Sequence, residues 1–230
     1  GFASGLAIAS YEFMSALTLI IVGKFFLPIF IKQGIYTIPE FVEKRFSTNL
    51  KTILAVFWLA LFIFVNLTSI LFLGGKAIDT IVGTGDGSLI MPAIFILAIV
   101  AVAYSLYGGL SAVAWTDVIQ VILLVLGGVV TTVFALKAVS PDSSIVNGIS
   151  HVTDVAGDKF DMILSRDNPE YSNLPGIYVL IGGLWVANLY YWGFNQYIIQ
   201  RTLAAKSISE AQHGIVFAAF LKMLIPFIIV

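Results

Sequence analysis

The chain has 230 residues, of which 59% are hydrophobic and 11% charged, and its mean hydropathy is +1.00. Soluble domains carry about 25% charged residues, so this composition excludes a water-soluble fold and, with it, a soluble enzyme. A net charge of -1 argues against a nucleic-acid partner, and the absence of cysteine removes disulfides and thiolate metal sites.

A membrane-spanning helix needs about 20 mostly apolar residues, and charge-poor runs of that size recur along the sequence. The first, 2–29, carries Glu12, with Lys24 near one end where its stem can snorkel to the interface. Thr37 and Glu40 then have capping-box spacing, which predicts a short amphipathic helix over 36–47. Further spans are expected at 52–75, 89–107, 118–136, 176–200 and 212–230, six in all. Unbroken apolar runs of this kind do not fit the alternating ten-residue segments of a membrane barrel. A mixed-polarity loop, 138–175, is long enough for a short helix and includes an apolar stretch at Met162–Leu164. The chain opens at Gly1 without a Met, inside one apolar run, and stops inside another, which reads as a fragment.

Charge distribution sets the expected orientation. Lys32, Lys44, Arg45 and Lys51 lie between spans one and two, and Arg201 and Lys206 between five and six, so these loops are expected in the cytoplasm. Asp79, Asp86 and the acidic 138–175 loop fall on the outer side.

Polar groups at membrane depth carry the functional reading, because each ionisable one costs about 2.5–3.5 kcal/mol to insert. Glu12 and Lys222 are the two ionisable residues lying clearly within spans, and Ser15 follows Glu12 on the same helical face. Asn66 sits mid-span. Asn188, Tyr191 and Trp192 align at i, i+3, i+4. Carboxylate, amide, hydroxyl and ammonium groups can bind sugar hydroxyls, and an aromatic ring can cover the apolar face of a pyranose. Other readings stay open: Glu12 with Lys222 as a structural ion pair, and Asn66 as interhelical glue. The glycine pairs at 74–75 and 127–128 read as close helix packing, whereas Gly182-Gly183 suggests a helix break. Asp117 reads as a helix-start residue favoured by the dipole or as part of a cation exit path. His151 and His213 form no ligand cluster, and no nucleophile–base pair or phosphate loop points to an enzyme.

Three stretches resemble a known family. The run YSLYGGLSA (104–112) leading into AWTDVIQ (114–120), the segment TIPEF (37–41) with Arg45-Phe46, and YYWGFNQYIIQRTLAAKS (190–207) followed by Leu221-Lys222 resemble the sodium:solute symporter family, in its sodium/glucose branch. The likeness covers nearly the whole chain. It implies an all-α membrane bundle, part of a LeuT-type core of two inverted five-helix repeats, in which these spans are core helices two to seven and span five is discontinuous. It further implies a multi-pass cell-membrane protein without covalent cofactor, coupling sodium ion to a hexose such as galactose or glucose. The matching positions place Glu12, Ser15, Asn66, Asn188 and Lys222 on the sugar, Tyr191 stacked on its ring as an inner gate with Trp192 beside it, and Asp117 near the sodium exit path. The family's main sodium site uses helices outside this chain, so no sodium ligand is expected here and the isolated chain is not expected to transport. Another solute of the same family, or a sugar sensor or channel, are the competing functions.

Overall fold

At membrane depth no water is available to the backbone, so each segment must satisfy its own N–H and C=O groups, and the helix does so residue by residue. The computed structural model describes residues 4–83, 85–174 and 176–229, and among them all regular structure is helical. In chain order the helices are α1 (Ala7–Lys32), α2 (Ile38–Arg45), α3 (Thr48–Val82), α4 (Ile90–Val139), α5 (Ile145–Val155), α6 (Ile177–Ile181), α7 (Gly183–Leu189), α8 (Gln196–Leu203) and α9 (Ile208–Ile229). Three segments are π-helical: Val22–Phe26 inside α1, Phe62–Leu67 inside α3, and Tyr190–Phe194 following α7.

Among the described residues α1, α3, α4 and α9 are long and apolar enough to cross a membrane, and a bent pair that meets at Gly182 would make a fifth crossing. The spans read from hydropathy differ from these helices at their ends, and capping explains two of the differences. Ser47 accepts the Leu50 N–H at 3.2 Å, so α3 starts at Thr48 instead of 52. Ser207 accepts the Glu210 N–H at 3.1 Å, so α9 starts at Ile208 instead of 212. A capped first turn is polar, and hydropathy alone passes over it.

The stretch 108–117, between two of the expected spans, holds the kink at which two helices meet. It is helical except at Gly109, whose φ of 56° and ψ of -152° only glycine adopts readily; the expected spans at 89–107 and 118–136 therefore both fall in α4, on either side of that residue. Span five is interrupted twice, at Gly182 (φ -100°, ψ -112°) and at Asn195 (φ -82°, ψ 114°). The short helix of the 138–175 loop is α5, with two 3-10 turns after it, while Met162–Leu164 is irregular. Asp142 organises its start, accepting from Ser140 Oγ at 2.5 Å, Asn147 Nδ2 at 2.7 Å and the Ser144 N–H at 3.1 Å. The Ser140 hydroxyl, then the Ser144 amide, hold this carboxyl below its ordinary pKa.

The chain divides into two compact units, one built from the sequence up to Ile38 and from Gln120 onward, the other from Pro39–Ile119. In the first, α1 packs on α9, and each helix has small buried residues, Ala9 and Ala16 in α1 and Ala211 and Ala219 in α9. Such residues let helix backbones approach closely where lipid offers no hydrophobic contrast. Gln212 Nε2 donates to the Gly23 carbonyl at 3.0 Å across this contact. The lower end of α1 closes on Gly34 (φ 61°), with the Ile35 N–H donating to the Phe30 carbonyl at 2.9 Å, a Schellman-type ending.

In the second unit, Lys51 pairs with Glu43 at 2.6 Å and holds that carboxyl's pKa down. Gly75 admits the Ile90 carbonyl so closely that an added Cβ would stand 2.9 Å from it. Asp79 is buried at the end of α3, and its carboxylate accepts the Gly87 N–H at 2.9 Å and the Leu89 N–H at 3.0 Å. It thus fixes the turn into α4 and caps that helix from outside it. Asp79→Ala strands both amides and should destabilise the full-length protein by about 2 kcal/mol, measured as a lowered thermal midpoint in detergent; an unchanged midpoint would show that the turn holds without the carboxylate.

Candidate functional site

Close packing of α1 on α9 brings two charges together at membrane depth. Glu12 and Ser15 project from one face of α1, and Lys222 comes from α9, where its ammonium pairs directly with Glu12 Oε2. The same ammonium lies 4.8 Å from the centre of the Trp192 ring, a cation–π distance. The pair keeps partial access, with 39% of the Glu12 side chain and 21% of the Lys222 side chain exposed. Pairing offsets the insertion cost of either charge, and the remaining access leaves carboxylate and ammonium able to meet a polar solute.

A buried amide ties the third element in. Asn188 of α7 is 7% exposed, and its Oδ1 accepts from Ser15 Oγ at 2.7 Å and from Trp192 Nε1 at 3.2 Å, while Nδ2 donates to the Leu184 carbonyl at 3.1 Å. The Ser15 hydroxyl also lies 3.0 Å from the Tyr11 carbonyl. It has one proton and two acceptors, so it alternates between them. Tyr191 stands edge-on to Trp192, with ring centres 4.9 Å apart at 82°, and is 43% exposed. Both rings lie in the π-helical segment Tyr190–Phe194; wide turns of this kind recur at functional sites because they turn side chains off the regular helical stripe.

Six of the expected residues, Glu12, Ser15, Asn188, Tyr191, Trp192 and Lys222, therefore meet in the first unit. Asn66 and Asp117 belong to the second. Asn66 lies half-buried in the π segment Phe62–Leu67. Asp117 lies in α4 more than a turn beyond Gly109, too far from a helix start for the dipole to favour it, which removes the helix-start reading. The sequence reading passed over Phe194, Gln196 and Gln212. The first two sit inside the motif YYWGFNQYIIQ, where only contacts made across the fold set them apart from their neighbours. Among the described residues no group of three or more His, Cys, Asp or Glu side chains could hold a metal.

Membrane-crossing helices around a partly accessible ion pair define a class: multi-pass membrane proteins that present polar groups to a solute within the bilayer. The chain belongs to the sodium:solute symporter family, whose model matches residues 1–230. It is 66% identical over its whole length to the sodium/glucose cotransporter of Vibrio parahaemolyticus, covering 42% of that protein. It is 36% identical to the uncharacterized symporter YidK of Escherichia coli, over 99% of the chain and 40% of the relative, and 33% identical to sodium/glucose cotransporter 1 of Ovis aries, over 100% and 36%. The chain thus spans well under half the length of these relatives.

Asn188→Leu keeps the size of the side chain and removes the acceptor shared by Ser15 and Trp192. It should destabilise the full-length protein by about 1–3 kcal/mol, read from its thermal midpoint together with a changed Trp192 emission; no change in either would show that the amide holds nothing.

Proposed function

We propose that the chain is the part of a sodium-coupled symporter that binds a hexose such as galactose or glucose and carries the inner gate. The observation that carries the reading is the meeting of the Glu12–Lys222 pair with Asn188, Trp192 and Tyr191. It offers a hydroxyl-rich neutral solute charged and neutral donors, acceptors and an aromatic face within one cluster. The names of two relatives, both sodium/glucose cotransporters, support the hexose. A carboxylate solute fits less well, because Glu12 already neutralises the ammonium it would need.

In this reading the chain makes six crossings, with α4 divided at Gly109, and the lysine- and arginine-bearing connections face the cytoplasm. Asn66 belongs to the sugar-binding set and Asp117 to the sodium exit path. Sodium enters as a co-substrate. One charge moving through 100 mV supplies about 2.3 kcal/mol, and a tenfold sodium gradient about 1.4 kcal/mol more. Together, near 3.7 kcal/mol, they sustain roughly a 500-fold sugar gradient at one-to-one coupling. Coupling requires sodium to bind better to the outward-open, sugar-competent state. The sugar then sits between the pair and the rings until Tyr191 withdraws toward the cytoplasm.

The decisive experiment follows labelled galactose in proteoliposomes of the full-length protein, with an inward sodium gradient against equal potassium. Sodium-dependent accumulation above equilibrium, competed by glucose, is expected; sodium-driven uptake of a different solute keeps the symporter and overturns the sugar, and sugar-evoked current without accumulation makes it a sensor or channel. Lys222→Ala removes a charged donor and should raise the KM for galactose about tenfold to a hundredfold; an unchanged KM would assign the Glu12–Lys222 pair to structure alone. Tyr191→Ala should lower sodium-driven uptake about tenfold or more in protein that remains folded, since loss of the ring removes its stacking contact, and normal uptake would remove Tyr191 from the gate.

A further inference from the structure

The geometry points to a second closure on the cytoplasmic side of Tyr191, made by Phe194 and latched by Gln196. This inference rests on the gate reading of Tyr191 only for its direction. Phe194 is the last residue of the π segment that carries Tyr191 and Trp192. Its ring meets Phe26 at 5.4 Å and 79°, and Phe30 at 5.9 Å and 77°, edge-on in both cases. Phe30 is 1% exposed, and the neighbouring Gly193 is buried so close to Val22 that an added Cβ would stand 3.2 Å from Cγ2. The segment thus packs closely into an apolar slot on α1 formed by Val22, Phe26 and Phe30, with Phe194 itself half-buried.

Immediately beyond, the backbone leaves the helix at Asn195, and Gln196 opens α8. Gln196 Oε1 accepts the Ile38 N–H at 2.8 Å. That amide belongs to the first residue of α2 and has no partner within its own helix. Ile35 and Ile38 are both almost fully buried against this unit. The bond therefore fastens the end of the gate-bearing segment to the stretch 35–38, on the far side of the slot from Tyr191.

Tyr191 and Phe194 are three residues apart on one continuous π-helical segment. Tyr191 cannot withdraw while Phe194 stays in its slot, and Phe194 cannot leave while Gln196 holds Ile38. Gate and slot must open in one step, with the Gln196–Ile38 bond as the latch, which makes Gln196 a positioning residue for transport.

Hydrogen exchange on the full-length protein in lipid, with neither sodium nor sugar present, tests this. Gln196→Leu removes the acceptor at nearly constant size and should speed exchange about tenfold at 35–38 and by the same factor at 190–194, because one hydrogen bond biases one shared opening. Gln196→Glu, which keeps an acceptor oxygen, should restore most of the protection. Phe194→Ala should speed both segments with Gln196 intact. Faster exchange at 35–38 alone would make Gln196 a local helix cap and overturn the proposal, as would no change at either segment. Uptake by Tyr191→Ala judges the gate assignment separately, since the exchange measurement uses no solute.

Discussion

The pairing of Glu12 with Lys222 is the constraint around which the first unit is arranged. Neither charge is affordable alone at membrane depth, so wherever one helix places its charge the other must deliver its partner. Small buried residues on both helices, Ala9 and Ala16 in α1 and Ala211 and Ala219 in α9, suit the close approach that lets carboxylate and ammonium meet. Trp192 adds to the same pairing, its ring centre lying 4.8 Å from the ammonium. The pair is a junction of three elements, and each contributes what the other two lack.

The helices that build the cluster depart from regularity beside it. A helix left regular satisfies its backbone and offers a solute nothing but side chains at fixed spacing. Among the described residues the chain departs from regularity at Gly109, at Gly182, at Asn195 and in three π segments, one of which carries Tyr191 and Trp192 and another Asn66. The departures at Gly182 and Asn195 leave the short rigid piece 183–194 between two joints. The contacts of Phe194 and Gln196 lie at its C-terminal end, so the piece is held there and carries Asn188, Tyr191 and Trp192 between the two joints.

Much of this was legible in the sequence, for identifiable reasons. Apolar runs located the crossing helices, since lipid imposes a length and a composition. Glu12 and Lys222 stood out because ionisable residues in such runs are rare, and Gly182-Gly183 suggested the break that Gly182 makes. Helix ends were read less well: Ser47 and Ser207 extend helices through polar turns that hydropathy scores as loop. The stretch 108–117, left between two expected spans, holds the kink at Gly109 where two helices meet, while the residues on either side stay helical. Phe194 and Gln196 were invisible as sites, because a phenylalanine in an apolar run and a glutamine at a helix start acquire meaning only from Phe26, Phe30 and Ile38 across the fold.

The single proton of Ser15 has a wider consequence. With both the Tyr11 carbonyl and Asn188 Oδ1 within its reach, the hydroxyl can yield its place on the amide to an incoming O–H without stranding any donor or acceptor. Asn188 Oδ1 keeps its bond from Trp192 Nε1 whichever acceptor the hydroxyl takes, so the junction of α1 and α7 can pass between two near-equal arrangements at little cost.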